Sequence, residues 1–207
     1  MQKLFIGLVA IAAAAIGFVS YQNIGQQEPK KALIYEPARA PAPFQLSSTD
    51  SETPINNSAL KGQWTLLFTG YTFCPDICPT TMAQLRDVLP ELQEKTDTPV
   101  KVWMISVDPQ RDTMQRLKDY TGFFGEDFVG IRAEHKDLFP FVRDLGLMYS
   151  IPDEGEEDYL VNHSAAIIVV NPDGNRQAIF NAEHVLGEIP TVNMEHLSYD
   201  FGILVNQ

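Results

Sequence analysis

The sequence predicts an α/β protein in which a central mixed β-sheet is flanked by helices. Three observations predict it. From Trp64 onward, short apolar runs alternate with segments of helical period, the pattern of βα units. A late "NPDGN" turn, residues 171–175, separates two β-rich runs and marks an added hairpin. The only two cysteines of the 207-residue chain, Cys74 and Cys78, fall directly after the first of the alternating apolar runs.

Taken in order, residues 64–68 (WTLLF) read as a strand, and 80–92 as a helix with Met82, Leu85, Val88, Leu89 and Leu92 on one face. Pro90 is expected to kink or end that helix near its last turn. Residues 100–107 (VKVWMISV) form a second strand, and 108–124 a helix with Asp112 as its N-cap. A short strand at 128–131 and a helix at 136–145 follow. Residues 164–170 and 177–180 flank the hairpin turn, and 189–205 close the chain as an apolar-periodic helix. A cysteine motif at the end of the first strand of such a unit is where a thioredoxin-like fold keeps its site.

Three regions are expected. Residues 1–21 contain an uncharged apolar run, 4–21 (LFIGLVAIAAAAIGFVSY). At 1.5 Å per residue it extends about 27 Å, close to a bilayer's hydrocarbon thickness. It reads as a transmembrane anchor in preference to a cleaved signal peptide, because it exceeds a usual apolar signal core and no A-x-A site closes it. Residues 22–43, polar and then rich in Pro and Ala, read as a tether, and 44–207 as the folded, thioredoxin-like domain. Both readings of the N-terminus export the domain, and the charge flanking the run suits a bacterial inner-membrane protein facing the periplasm. There a cysteine pair can be oxidised.

Fifteen Lys and Arg against 27 Asp and Glu give a formal net charge of −12. With no basic cluster, that balance excludes a nucleic-acid backbone as partner.

The cysteines lie in "GYTFCPDICPTTM", residues 70–82. Pro75 and Pro79 rule out an ordinary helix running through both thiols. They leave Cys74 in a loop and Cys78 at the mouth of a helix whose first position is Pro79. The free N–H groups and partial positive charge there favour thiolate, which is both nucleophile and metal ligand. A disulfide closing three intervening residues removes little chain entropy, so a purely structural role is a poor reason for the pair.

Two thiolates underfill most metal sites, and His135, His163, His184 and His196 are the available imidazoles. His163 stands directly before the first strand of the hairpin, where a side chain can project from the sheet's end toward the cysteine loop. Two thiolates and one imidazole make a soft, three-donor set that suits Cu(I), and Cu(II) with an added donor. Structural zinc prefers four closed ligands.

"GYTFCPDICPTTM", "ISVDPQRDT" and "DYLVNHSAAIIVVNPDG", in that order, resemble the Sco/SenC family over about residues 44–205. The resemblance implies a membrane-tethered, thioredoxin-fold copper chaperone that serves the binuclear copper site of cytochrome c oxidase. Its copper ligands fall on Cys74, Cys78 and His163, and its partner would be the oxidase's copper-bearing subunit or another copper acceptor. Asp76 matches a residue usual in the family, with tuning of the thiolate or a plain turn as its two readings. Phe73 stands where many members carry His, and Asn162 where many carry Asp, a neutral exchange that weakens tuning of the imidazole. Asp108 and Arg111 are expected to pair and shape the strand exit. The acidic run 152–158 (PDEGEED) reads as a solvated loop or as an arm that carries His163 on and off the metal and docks cationic partners.

A second function needs the same cysteines without the histidine. A periplasmic thiol-disulfide reductase would use Cys74 and Cys78 as its redox pair, with Cys74 the expected attacking thiol. A peroxidase is a weaker third reading, since the motif offers Thr72 but no adjacent Arg.

Overall fold

The computed structural model describes residues 29–150, 159–187 and 189–206. The expected anchor, the acidic run and the first part of the tether lie outside the described residues.

Eight strands form one sheet: β1 (Leu33–Arg39), β2 (Leu46–Ser48), β3 (Ser51–Ile55), β4 (Trp64–Gly70), β5 (Val100–Ser106), β6 (Phe128–Arg132), β7 (Ile167–Val170) and β8 (Arg176–Phe180). Their spatial order is β1-β8-β7-β4-β5-β6-β2-β3. The centre is parallel, with β4 paired to β5 and β5 to β6, and β7 lies antiparallel on the other side of β4. Every residue of β4 is buried, which fits a central strand covered on both faces.

Strand alternation feeds two cores. Leu67, Trp103, Ile105, Val129 and Ile168 point to one face, where they pack with Leu138, Phe141 and Val142 of helix α3 (His135–Asp144). Leu66, Phe68, Val102, Met104 and Val169 point to the other. That face is covered by α1 (Ile77–Glu94), α2 (Met114–Gly122) and α4 (Met194–Leu204), through Met82, Leu85, Leu117, Leu197 and Phe201. The mixed sheet with helices on both faces is the architecture the sequence predicts.

The hairpin forms at the expected place. Asn171 accepts from the backbone N–H groups of Asp173 and Asn175 through its side chain, and Gly174 supplies the positive φ (84°) that the turn requires.

Several boundaries differ from expectation, each for a physical reason. Residues 33–39, inside the stretch read as tether, form edge strand β1, antiparallel to β8. Its polar residues and Pro37 disguise it, and an edge is where a strand tolerates proline. Just ahead of it, the buried carboxylate of Asp200 on α4 accepts the N–H groups of Lys30, Lys31 and Ala32 at 2.7, 2.9 and 2.8 Å, which fastens the chain's entry to the domain. Helix α1 continues past Pro90 to Glu94, because Leu89 and Leu92 remain packed on either side of the one lost hydrogen bond. Helix α2 starts at Met114, and its N-cap is Thr113, whose hydroxyl accepts from the Arg116 N–H at 3.2 Å. Asp112, expected in that role, is buried and used elsewhere.

Candidate metal centre

The site lies at the carboxyl end of β4, where open α/β sheets place their functional groups. After Gly70 the chain turns sharply. The Cys74 N–H donates to the Tyr71 carbonyl at 3.2 Å, and α1 begins at Ile77 with Asp76 as its N-cap. Cys78 is therefore the second helical residue, and the helix starts two residues ahead of the expected Pro79. Proline is tolerated in that first turn because its missing N–H has no partner there in any helix.

Gly70 is required by space. A Cβ on it would stand 3.2 Å from the Cys78 Sγ, 3.3 Å from the Phe68 ring and 3.4 Å from the Met104 methyl. The strand end is thus pressed against the sulfur it positions.

The two thiols have opposite surroundings. Cys78 is fully buried and Cys74 half-buried, and both are free. The hydrogen bond between the two sulfurs is the largest influence on both. It holds the Cys74 thiol down at about 4, aided by bonds from the backbone N–H groups of Cys78 and Asp76, with burial opposing. The same bond, together with burial, pushes Cys78 well above the ordinary thiol range. The pair therefore loses its first proton from Cys74.

His163 joins them from β7's approach. Its Nε2 lies 3.5 Å from the Cys78 Sγ, and the three donor atoms of Cys74, Cys78 and His163 all lie within 4.8 Å of one another. Among the described residues no other group of three His, Cys, Asp or Glu side chains converges in this way. The ring's Nδ1 sits 3.1 Å from the Ser164 carbonyl, so Nδ1 carries the proton and Nε2 presents its lone pair to the sulfurs. Thr69 donates to that same carbonyl at 2.9 Å, and the buried Tyr71 ring meets the imidazole edge-on at 5.9 Å.

The remaining histidines are occupied elsewhere or lie outside this cluster. His135 bonds the Tyr149 hydroxyl at 2.9 Å, and His196 bonds Glu183 at 3.1 Å. Asn162 pairs through its backbone with Ser150, and the imidazole's fixed partner is the Ser164 carbonyl. Asp108 and Arg111 do pair, Nε to Oδ2 at 2.5 Å. Arg111 also reaches the Tyr159 carbonyl at 3.0 Å, linking the exit of β5 to the segment that leads to His163.

Sequence reasoning missed Asp112. Its carboxylate accepts from the Thr72 N–H (3.1 Å), the Thr72 hydroxyl (2.6 Å) and the Ser106 hydroxyl (2.6 Å), and so clamps the cysteine loop to β5. Burial raises its carboxyl above the usual range. Asp and Thr are both good N-cap types, and burial is what sets Asp112 apart from the adjacent Thr113.

A thioredoxin-like sheet whose first βα turn carries a dithiol, completed by an imidazole from the approach to a later hairpin, defines a distinct class of domain. A family model described as SCO1/SenC matches residues 34–192. The chain belongs to the SCO1/SenC family. It is 38% identical over 132 residues to a putative copper-binding protein of Stutzerimonas stutzeri (63% of this chain, 65% of that one). It is 31% identical over 157 residues to the mitochondrial SCO1 homolog of Homo sapiens (75% of this chain, 52% of that one). The chain thus spans less than two-thirds of either curated relative. Among solved structures, copper-bound ScoI of Arabidopsis thaliana superposes with a TM-score of 0.70 at 28% identity, over 81% of this chain and 98% of that one. Copper-bound ScoI of Bradyrhizobium japonicum gives 0.62 at 29%, over 78% and 97%.

Proposed function

We propose that this chain is a copper chaperone, holding its cargo through the Cys74 and Cys78 thiolates and the His163 Nε2 and passing it to a copper-accepting protein such as the copper-bearing subunit of cytochrome c oxidase. The observation that carries the reading is the convergence of these three soft donors within 4.8 Å. Kinship with the copper-binding relative and the two copper-bound structures supports it.

The chain's own residues divide the work. Cys74, already a thiolate at neutral pH, is the half-exposed donor an incoming cation or acceptor meets first. Cys78 releases its proton only on loading, so uptake of copper liberates a proton. The Ser164 carbonyl keeps the imidazole in the tautomer that can donate from Nε2. Release proceeds by exchange of these ligands for those of the acceptor. On this reading the domain is held at the outer face of a bacterial inner membrane by residues 4–21.

The test is titration of the reduced protein with Cu(I) under a competing chelator, comparing wild type with His163→Ala. One tightly held copper, weakened by the substitution, is expected. Unchanged affinity and stoichiometry would sink the three-donor reading.

A thiol-disulfide reductase is the second reading, and the low pKa of Cys74 favours it. The Cys74 thiolate would attack a substrate disulfide and form a mixed disulfide, releasing one substrate thiolate. Cys78 would then displace the second, leaving a Cys74–Cys78 disulfide and a reduced dithiol. Full reductase activity in His163→Ala, alongside weakened copper binding, would separate the two functions.

A further inference from the structure

Phe73, directly before the first cysteine, is 43% exposed beside a buried site. Two guanidinium groups lie against its ring, that of Arg116 at 3.9 Å and that of Arg111 at 4.8 Å from the centroid. They differ in one respect. Arg111 is neutralised by the buried carboxylate of Asp108. Arg116 has no carboxylate partner among the described residues. Its Nε donates to the Thr72 hydroxyl at 2.6 Å, and only through that hydroxyl is it connected to Asp112.

Beside Arg116 is a depression of about 530 Å³, also lined by Thr72, Thr113 and Tyr120. The buried Tyr120 hydroxyl has no hydrogen-bond partner among the described residues. The one carboxylate on the rim, Asp119, is already bonded by Gln115 at 2.8 Å. Here, then, a chain of net charge −12 gathers donors without an acceptor and a cation without an anion.

We propose that this patch is where a metal-exchanging partner docks, and that the partner presents a carboxylate to Arg116 and an apolar side chain to Phe73. The identity of the partner as a metal acceptor or donor rests on the chaperone reading. Guanidinium binds carboxylate in a two-pronged, charge-assisted contact, and Arg beside an exposed aromatic is the composition that dominates interface energies. Charge complementarity of this kind also speeds encounter and sets orientation. A carboxylate seated on Arg116 brings the partner against Phe73, one residue from the half-exposed Cys74.

The test uses the reduced, metal-free full-length protein and two peptides lacking Cys, His and Met: one with glutamates around a central leucine, its twin with lysines instead. Backbone NMR shifts are followed on titration. The glutamate peptide is expected to move the signals of Phe73, Thr113 and Arg116, with the effect shrinking as salt rises, while the lysine twin leaves them in place. Arg116→Glu should weaken the glutamate peptide about tenfold or more, the loss of one charge-assisted contact. Arg86→Glu, the same charge change on an exposed part of α1, should leave binding as it was. Equal responses to the two peptides, or equal losses in the two variants, would overturn the proposal. Because no copper is present, such a failure is distinct from a failed copper titration, which would remove only the chaperone reading.

Discussion

The two cysteines and the histidine meet at one point but stand on different supports. The cysteine loop leaves the fully buried strand β4, is clamped by the three hydrogen bonds of Asp112, and presses Cys78 against Gly70 so closely that a methyl group would crowd it. His163 stands on an isolated antiparallel bridge to Tyr149, secured by paired backbone bonds between Ser150 and Asn162 and between Met148 and Ser164. Buried Val161 and Tyr149 fasten it to the core, yet its neighbour Asn162 is exposed. The sheet fixes one half of the donor set and a short ladder holds the other. Ligand exchange is therefore expected to begin at the histidine, since the elements with the fewest buried contacts open at the lowest free energy.

The largest effect should come from removing a sulfur. Cys78→Ala is expected to abolish stoichiometric Cu(I) binding, whereas His163→Ala retains a weakened two-thiolate site, as measured by chelator competition. If the histidine variant loses as much as the cysteine variant, the two supports are not functionally unequal. Next comes the clamp. Asp112→Ala strands the buried Ser106 hydroxyl and the Thr72 donors, and each unsatisfied buried donor costs about 1–3 kcal/mol. A loss of about 2–3 kcal/mol in urea unfolding is expected, together with a displaced cysteine loop.

A smaller and more local effect is the pH profile of the thiols. In the reduced, metal-free protein, Cys74 should be alkylated in preference to Cys78, at a rate nearly constant from about pH 8 to about pH 5, because only the thiolate reacts and its pKa is held at about 4. An ordinary thiol would slow about tenfold per unit over that range. The sign follows from the hydrogen bonds: the Cys78 thiol donates the bond that most favours the Cys74 thiolate, so Cys78→Ala should move the midpoint upward. A midpoint near 9 in wild type would contradict the sulfur–sulfur pairing.

The same inequality explains what was legible in the sequence. Cys74, Cys78 and the strand before them were readable because a continuous apolar run followed by a Cys-Pro motif is a local signal. His163 was readable through its position at a strand entrance and through the family resemblance of its motif, while the ladder that holds it uses backbone atoms, which leave no residue signature. Asp112 was misread because capping is a local rule while its real partners, Thr72 and Ser106, lie 40 and 6 residues away. Strand β1 was hidden for a related reason: an edge strand with one proline resembles a linker until β8 pairs with it.

The finest distinction is made at Thr69, where the two supports touch. Thr69 is on β4, one residue before Gly70, but its hydroxyl serves the histidine, donating to the Ser164 carbonyl that also takes the His163 Nδ1 proton. Thr69→Val keeps shape and burial and deletes that bond, at a cost of about 1 kcal/mol in stability. The carbonyl retains the imidazole as its partner but loses the anchor that fixes its direction. Copper affinity should fall by about tenfold, the lower end of what loss of an outer partner costs. The alkylation profile of Cys74 should stay where it is, because neither thiol bonds Thr69. If instead that profile shifts along with copper affinity, strand and ladder respond as one rigid unit, and release cannot begin at the histidine alone.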